Sequence, residues 1–178
     1  MPPPLRAAAA LDVGYRQAEE ADLPFLFLVY AATREEELAG TGWPEEIRHA
    51  FLTQQFNAQH HHYRTYYPEA EWLVVQRGGT DIGRLYFEEW PSQFRIIDIA
   101  LLPEARRKGI GAAILADLLA MAAARGKAAS IHVEKNNPAL HLYRRLGFAT
   151  VEDKGVYDLM EWRDGASPAT ATADDQVS

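Results

Sequence analysis

The apolar positions of this chain switch repeatedly between a strand rhythm and a helix rhythm. Val13 to Ala18 predicts a short strand. Asp22 is suited to cap the helix that follows, with Pro24 just inside it. Phe25, Leu28, Val29 and Ala32 recur there at helical spacing, and the run stops near Gly40. Pro44 to about His62 predicts a second helix with Ile47, Phe51, Leu52 and Phe56 on one face. Glu71 to Arg77, then Gly78-Gly79-Thr80, then Asp81 to Glu88 predicts a hairpin. Pro91-Ser92 turns into a strand from Phe94 to Leu102. A helix rich in alanine and leucine follows from about Gly109 to Arg125, with Gly126 placed as its C-cap. Ala128 to Glu134 is the next strand. Asn136-Asn137-Pro138 opens a helix to about Leu146, stopped by Gly147, and Phe148 to Glu152 with Gly155 to Trp162 closes on a second hairpin. The order β-α-α-β-β-β-α-β-α-β-β predicts an α/β (α+β) fold: a mixed, mostly antiparallel sheet of about seven strands with flanking helices.

The ends lack these rhythms. Residues 1–11, three prolines and then four alanines, read as a disordered leader, and residues 164–178, rich in Ala, Thr, Asp and Ser, as a disordered tail. That leaves residues 12–163 as a single domain. The composition is that of an ordinary globular protein, with 48% hydrophobic and 24% charged residues among 178. A net charge of −7 argues against nucleic acid as a partner and suits a cationic substrate such as an amine. There is no cysteine, which excludes disulfides, thiol catalysis and cysteine metal sites. No apolar stretch is long enough to span a membrane, and the expected location is the cytoplasm. His60-His61-His62 is not expected to chelate a metal, because adjacent helical positions point in different directions.

The richest segment chemically is Arg106-Arg107-Lys108-Gly109-Ile110-Gly111-Ala112. A strand precedes it and a helix follows. The first amides of a helix have no internal partners and sit at the positive end of its dipole, so such a loop is suited to a phosphate. The two glycines let backbone approach the ligand closely. A Walker A loop is excluded, because Gly111 is followed by Ala112-Ala113 and not by a lysine with Ser or Thr. A dinucleotide loop would need a small residue where Ile114 stands, which disfavours an oxidoreductase. An acyl-CoA loop of the pattern Arg or Gln, two residues, Gly, one residue, Gly or Ala accommodates Arg106, Gly109 and Gly111.

With Leu101-Leu102-Pro103-Glu104-Ala105 before that loop, and Asn137-Pro138-Ala139-Leu140-His141-Leu142-Tyr143-Arg144-Arg145-Leu146-Gly147-Phe148 further on, the chain resembles the GNAT superfamily of acyl-CoA-dependent N-acyltransferases from about Val13 to Trp162. The resemblance implies an N-acetyltransferase that moves an acetyl group from acetyl-CoA, its co-substrate, to a primary amine by direct attack in a ternary complex, without a metal. It implies pyrophosphate contacts from the amides of Arg107, Lys108, Gly109, Ile110, Gly111 and Ala112, with charge from Arg106, Arg107 or Lys108. Ile99, Ala100 and Leu101 match the strand that pairs with the pantetheine arm, and an amide near Leu101 would stabilise the oxyanion. Tyr143 matches the family's general acid for the departing thiolate.

Family members often carry a CoA-contacting asparagine near this helix; Asn136 and Asn137 both remain open for that place. The proton acceptor also remains open among Asp98, His132, Glu88, Glu89 and Glu134, or a chain of water molecules. Asp98 interrupts an apolar strand and is either a buried acid poised for base work or an acid reaching solvent at a bulge or edge. The aromatic-rich segment Thr41 to Glu69 matches family segments that wall the acceptor pocket. The implied acceptor is a small-molecule amine or a peptide N-terminus, and a homodimer is compatible with the resemblance. A chain of this fold that only binds acyl-CoA, as a sensor or scaffold, is the alternative.

Overall fold

The computed structural model describes Pro3 and residues 6–165. Its strands are β1 (Val13–Gln17), β2 (Glu71–Arg77), β3 (Thr80–Glu89), β4 (Gln93–Leu101), β5 (Ala128–Glu134), β6 (Ala149–Asp153) and β7 (Tyr157–Trp162). They form one sheet in the order β1-β2-β3-β4-β5-β7-β6. Every neighbouring pair is antiparallel except β4 and β5. This is the mixed, mostly antiparallel seven-stranded sheet that the sequence predicts.

Helices α1 (Leu23–Ala39) and α2 (Glu45–Tyr66) cover one face; α3 (Ile110–Ala124) and α4 (Leu140–Leu146) cover the other. Leu73, Val75, Leu85, Phe87, Phe94 and Ile96 pack toward α3. Val74 and Tyr86, on the alternate positions of β2 and β3, pack under Leu26, Tyr30 and Phe56 of α1 and α2. Helix α3 is buried nearly all round, with Ile110, Ile114, Leu115, Leu118 and Ala122 each at most 1% exposed, as befits a helix apolar on every side.

Two apolar stripes differ from expectation. In α1 the inward face is Leu26, Val29 and Tyr30, while Leu28 is 58% exposed. Consecutive apolar residues offer overlapping stripes there, and the stripe that includes Tyr30 matches the sheet. In α2 only Phe56 is buried; Ile47 and Phe51 are exposed, and Phe51 takes an edge-on contact from Trp43 at 5.4 Å.

The expected leader also differs. Arg6 onward is folded: Ala9–Leu11 makes a 3₁₀ turn and Ala8 is fully buried. The cause is Asp117, buried in α3, whose carboxylate accepts the Ala7 and Ala8 amides at 2.9 and 3.0 Å. The packed unit therefore begins before residue 12. Residues 1, 2, 4 and 5 of the expected leader, and the expected tail beyond 165, lie outside the described residues. Among the described residues no helix is long and apolar enough to cross a membrane.

Candidate active site

The parallel pairing of β4 and β5 ends at Ile96 and Ile131, although both strands continue. On its other edge β4 stays paired with β3, and the Leu102 amide still donates to the Ile82 carbonyl at 2.8 Å. In an antiparallel pair, positions that bond to the partner alternate with positions that face away. With Leu102 bonded to β3, so are Ala100 and Asp98. Ile99 and Leu101 turn their amides and carbonyls toward the gap between β4 and β5. Of the three strand residues singled out by sequence, Ile99 thus turns its amide and carbonyl and Leu101 its amide to the gap, the Leu101 carbonyl being taken by the Arg106 side chain; Ala100 spends its own on Arg84 of β3. Gly83 makes this approach possible. A side chain there would overlap the Ala100 carbonyl oxygen and lie 2.8 Å from the Leu101 side chain.

Beyond Leu101 the chain makes a 3₁₀ turn, Pro103–Ala105, and passes Arg107 and Gly109 in left-handed conformations (φ 60° and 78°) before α3 begins. Arg107 is a non-glycine residue in a conformation it rarely adopts, held where the loop bends toward the helix N-terminus. The first helical bond is from Ala113 to the Gly109 carbonyl at 3.0 Å. The amides of Lys108 to Ala112 have no protein acceptor among the described residues. The space a side chain would fill at Gly109 and Gly111 is open to 4 Å. Ile110 buries its side chain and contributes only its amide. Arg107 and Lys108 are exposed and make no ion pair among the described residues. Arg106 is committed elsewhere: its Nε donates to the Leu101 carbonyl at 3.0 Å and ties the loop to the end of β4.

Tyr143 sits on α4, 4% exposed, edge-on to Phe148 at 5.6 Å. Burial, and then the negative charge of Asp98, push its hydroxyl well above the ordinary tyrosine value. The hydroxyl is therefore protonated at neutral pH. Asn137 uses its side chain to hold the Ala139 amide at 2.8 Å and caps the turn into α4. The helix itself starts at Leu140, later than the sequence reading placed it. Asn136 lines an open cleft of about 440 Å³ together with Arg34, Glu37, Glu134, Lys135, Val156 and Tyr157.

A bulge in β4 decides where Asp98 lies. Phe87 pairs with Ile96 and Tyr86 with Asp98, so Ile97 is an extra residue. In an unbroken alternation Asp98 would share the face of Ile96 and point into the apolar layer under α3. With the bulge, Asp98 joins Tyr86 and Arg84 on the α1–α2 side, half-buried. Arg84, 2% exposed, donates from Nη2 to Asp98 Oδ2 at 2.6 Å and to Gln59 Oε1 at 3.0 Å. Tyr63 of α2 donates to the same Oδ2 at 3.3 Å. Oδ1 has no protein partner among the described residues. Asp98 is thus an anchored carboxylate, not the lone buried acid that one sequence reading proposed.

The other acids and the histidine sort by position. Glu89 is bound to Arg125 and Lys127 at 2.6 and 2.9 Å, on the side of α3. Glu88 holds the Glu69 amide and the Trp90 indole. Glu134 meets Arg34 at 3.2 Å in the cleft. His132 lies beyond the last β4–β5 pair, but its Nδ1 is 3.3 Å from Nη1 of Arg95, which can only donate. Burial first, then Arg95 and Lys154, lower its pKa, with Glu152 opposing. The neutral ring then carries its proton on Nε2, with the one lone pair already used. Accepting a further proton would cost His132 this contact with Arg95. Arg84 and Gln59 were not singled out by sequence; an arginine in an otherwise apolar strand, Ile82 to Phe87, was the available signal for the first.

No group of three or more metal-ligating side chains occurs among the described residues. A family model described as acetyltransferase (GNAT) family matches residues 37–148. No curated protein matches the chain. Among solved structures it is similar to the PaiA N-acetyltransferase from Thermoplasma acidophilum in complex with coenzyme A, at 18% identity over 85% of this chain and 98% of that one, TM-score 0.64. An acetyltransferase from Thermus thermophilus matches at 17% identity over 86% and 97%, TM-score 0.62. A GNAT family acetyltransferase from Elizabethkingia anophelis with acetyl-CoA bound matches at 15% over 85% and 98%, TM-score 0.56. At these identities the likeness establishes a shared fold.

Proposed function

Because the chain belongs to the GNAT acetyltransferase family, we propose that it transfers an acetyl group from acetyl-CoA to the amine of an acceptor by direct attack within a ternary complex. The observation that carries this reading is the pair of unpaired backbone surfaces on one stretch of chain: the gap-facing Ile99 backbone and Leu101 amide, and the free amides from Lys108 to Ala112. The first suits an extended amide-bearing arm, the second a pyrophosphate. Two solved relatives of the same fold hold coenzyme A or acetyl-CoA.

In this reading the amine lone pair attacks the thioester carbon. The Leu101 amide faces the gap and donates to the oxygen that becomes negative; a donor of this kind is typically worth about 3 kcal/mol. The carbon–sulfur bond breaks and the thiolate takes a proton from the Tyr143 hydroxyl. A thiol ionises near pH ~8.5, so its thiolate is a fair leaving group and Tyr143 assists more than it decides. The ammonium proton shed before attack goes to Asp98 at Oδ1, leaving Oδ2 bound to Arg84 and Tyr63, and the second proton, lost from nitrogen as the tetrahedral adduct collapses, restores the Tyr143 hydroxyl. Of the two asparagines Asn136 is our candidate for the ligand, since the Asn137 side chain is spent on the helix start. The acceptor is a small-molecule amine or a peptide N-terminus entering on the α1–α2 side, and a cytoplasmic location, where acyl-CoA is available, goes with this reading.

The test is thermal stabilisation by acetyl-CoA and CoA, followed by thiol release against a panel of amines. Stabilisation with release for some amine supports the reading. Stabilisation with no release for any acceptor favours the non-catalytic acyl-CoA binder, and no stabilisation at all overturns both.

A further inference from the structure

The Arg84–Asp98 pair is poorly explained by stability alone. Arg84 is buried, yet its Nε has no hydrogen-bond partner, and an unmet buried donor is a cost to the fold. Replacing a buried ion pair by apolar side chains is often neutral or stabilising, so such a pair is weak evidence of a structural role. Its geometry is also one-sided. Arg84 and Tyr63, from β3 and α2, both converge on Oδ2 of Asp98, and none of the described groups bonds Oδ1. The arginine is itself fixed from three directions. Gln59 accepts from the same Nη2, one helical turn before Tyr63, and the rings of Tyr86 and Tyr30 lie 5.2 and 5.9 Å from the guanidinium carbon.

We propose that Arg84 and Tyr63 are positioning residues that clamp Oδ2 of Asp98 so that Oδ1 is held toward the acceptor, and that the acceptor class is therefore an aliphatic amine arriving as its ammonium ion. The inference rests on the acetyl-transfer reading. An anchored carboxylate contributes by orientation: it holds an ammonium near the thioester, removes one proton to free the attacking lone pair, and need not find its geometry anew at each encounter. An amine already neutral at the working pH has no such proton to lose before attack, and gains little from the clamp. Alkyl ammonium groups ionise near pH ~10.4, so at neutral pH they need it most.

The experiment uses the full chain with Tyr63→Phe, Arg84→Lys, Asp98→Asn and the double variant Tyr63→Phe/Asp98→Asn, each assayed with an alkyl primary amine and with an aromatic amine that is neutral at the same pH. Tyr63→Phe keeps the ring and its packing and is the variant least exposed to folding defects. It is expected to lower kcat/KM about tenfold with the alkyl amine and no more than about twofold with the aromatic amine, with affinity for CoA unchanged. Asp98→Asn is expected to cost about a hundredfold with the alkyl amine, and adding Tyr63→Phe to it should then cost nothing more, because Tyr63 acts through Asp98. Arg84→Lys, which keeps the charge and loses the planar fork, should fall between. Equal losses with both amines, or fully additive losses in the double variant, overturn the positioning role. A wild-type chain that binds CoA but releases no thiol with either amine overturns the transfer reading itself.

Discussion

Gly83→Ala is the smallest change that tests the geometry of the proposed thioester subsite. The added methyl would overlap the Ala100 carbonyl oxygen and lie 2.8 Å from Leu101 Cδ2 and 3.1 Å from Leu101 Cα. Two of these three neighbours are backbone of β4, so relief cannot come from a rotamer change alone. The β3–β4 pair must open by several tenths of an ångström, at the position whose amide is the proposed oxyanion donor. Overpacking of this kind costs about 2 kcal/mol. For a domain of this size that lowers Tm by about 4–8 °C. The kinetic effect should be larger in proportion, since a shift approaching 1 Å at a reacting centre costs about a hundredfold. Thermal unfolding gives the first number and thiol release at saturating acetyl-CoA the second. A Gly83→Ala protein with unchanged Tm would refute the packing claim. One with a lowered Tm but an unchanged kcat would refute the assignment of the oxyanion donor to this part of β4.

Gly111→Asp should weaken CoA affinity at least a hundredfold while moving the Tm of the free protein by less than about 3 °C. A Cβ added there meets nothing within 4 Å, and the new charge sits at the helix start where the pyrophosphate is expected; titration calorimetry and a melt in the absence of ligand read the two. Tyr143→Phe should lower kcat about tenfold and leave CoA affinity unchanged, and an equal rate would remove the tyrosine from proton delivery. Asp117→Ala strands the Ala7 and Ala8 amides, the second of them buried. It should cost about 3 kcal/mol, a fall in Tm of about 6–12 °C, with little change in KM for acetyl-CoA.

The elements were legible in the sequence because most are bounded by local signals. Gly78-Gly79 set the first hairpin, and both glycines take left-handed conformations. Gly126 and Gly147 end their helices in the same way. The conformation of the loop from Arg106 to Ala112 was legible because backbone geometry follows the glycine spacing. The surroundings of the candidate proton-handling groups were less so. Asp98 stood out as a charge in an apolar run, but its partners come from 14 and 35 residues away, and nothing local announces Arg84 or Tyr63 as its neighbours. His132 looked suitable for base work because titration near neutrality is a property of the residue type. Its loss of a free lone pair is a property of Arg95, 37 residues away in the chain. The N-terminal alanines looked unstructured because the group that fixes them, Asp117, lies 109 or more residues on. Local rules see spacing; they do not see which distant strand or helix arrives alongside.

Ile97 lies one residue beyond the last pair that joins β4 to β5. A bulge adds twist and bends the strand that carries it, so the parting of the two strands starts where the chain has one residue to spare. The opening is therefore a matter of chain length and not of residue kind. Substituting Ile97 would leave the wedge in place. Deleting it would keep the β3 partners on either side and leave Asp98 on its own face, yet it would let β4 run straight and zip further along β5. The backbone of Ile99 and Leu101 would then be claimed by the protein itself. A single missing residue, with every chemical group of the site retained, would shut this sheet against the proposed acyl-CoA arm.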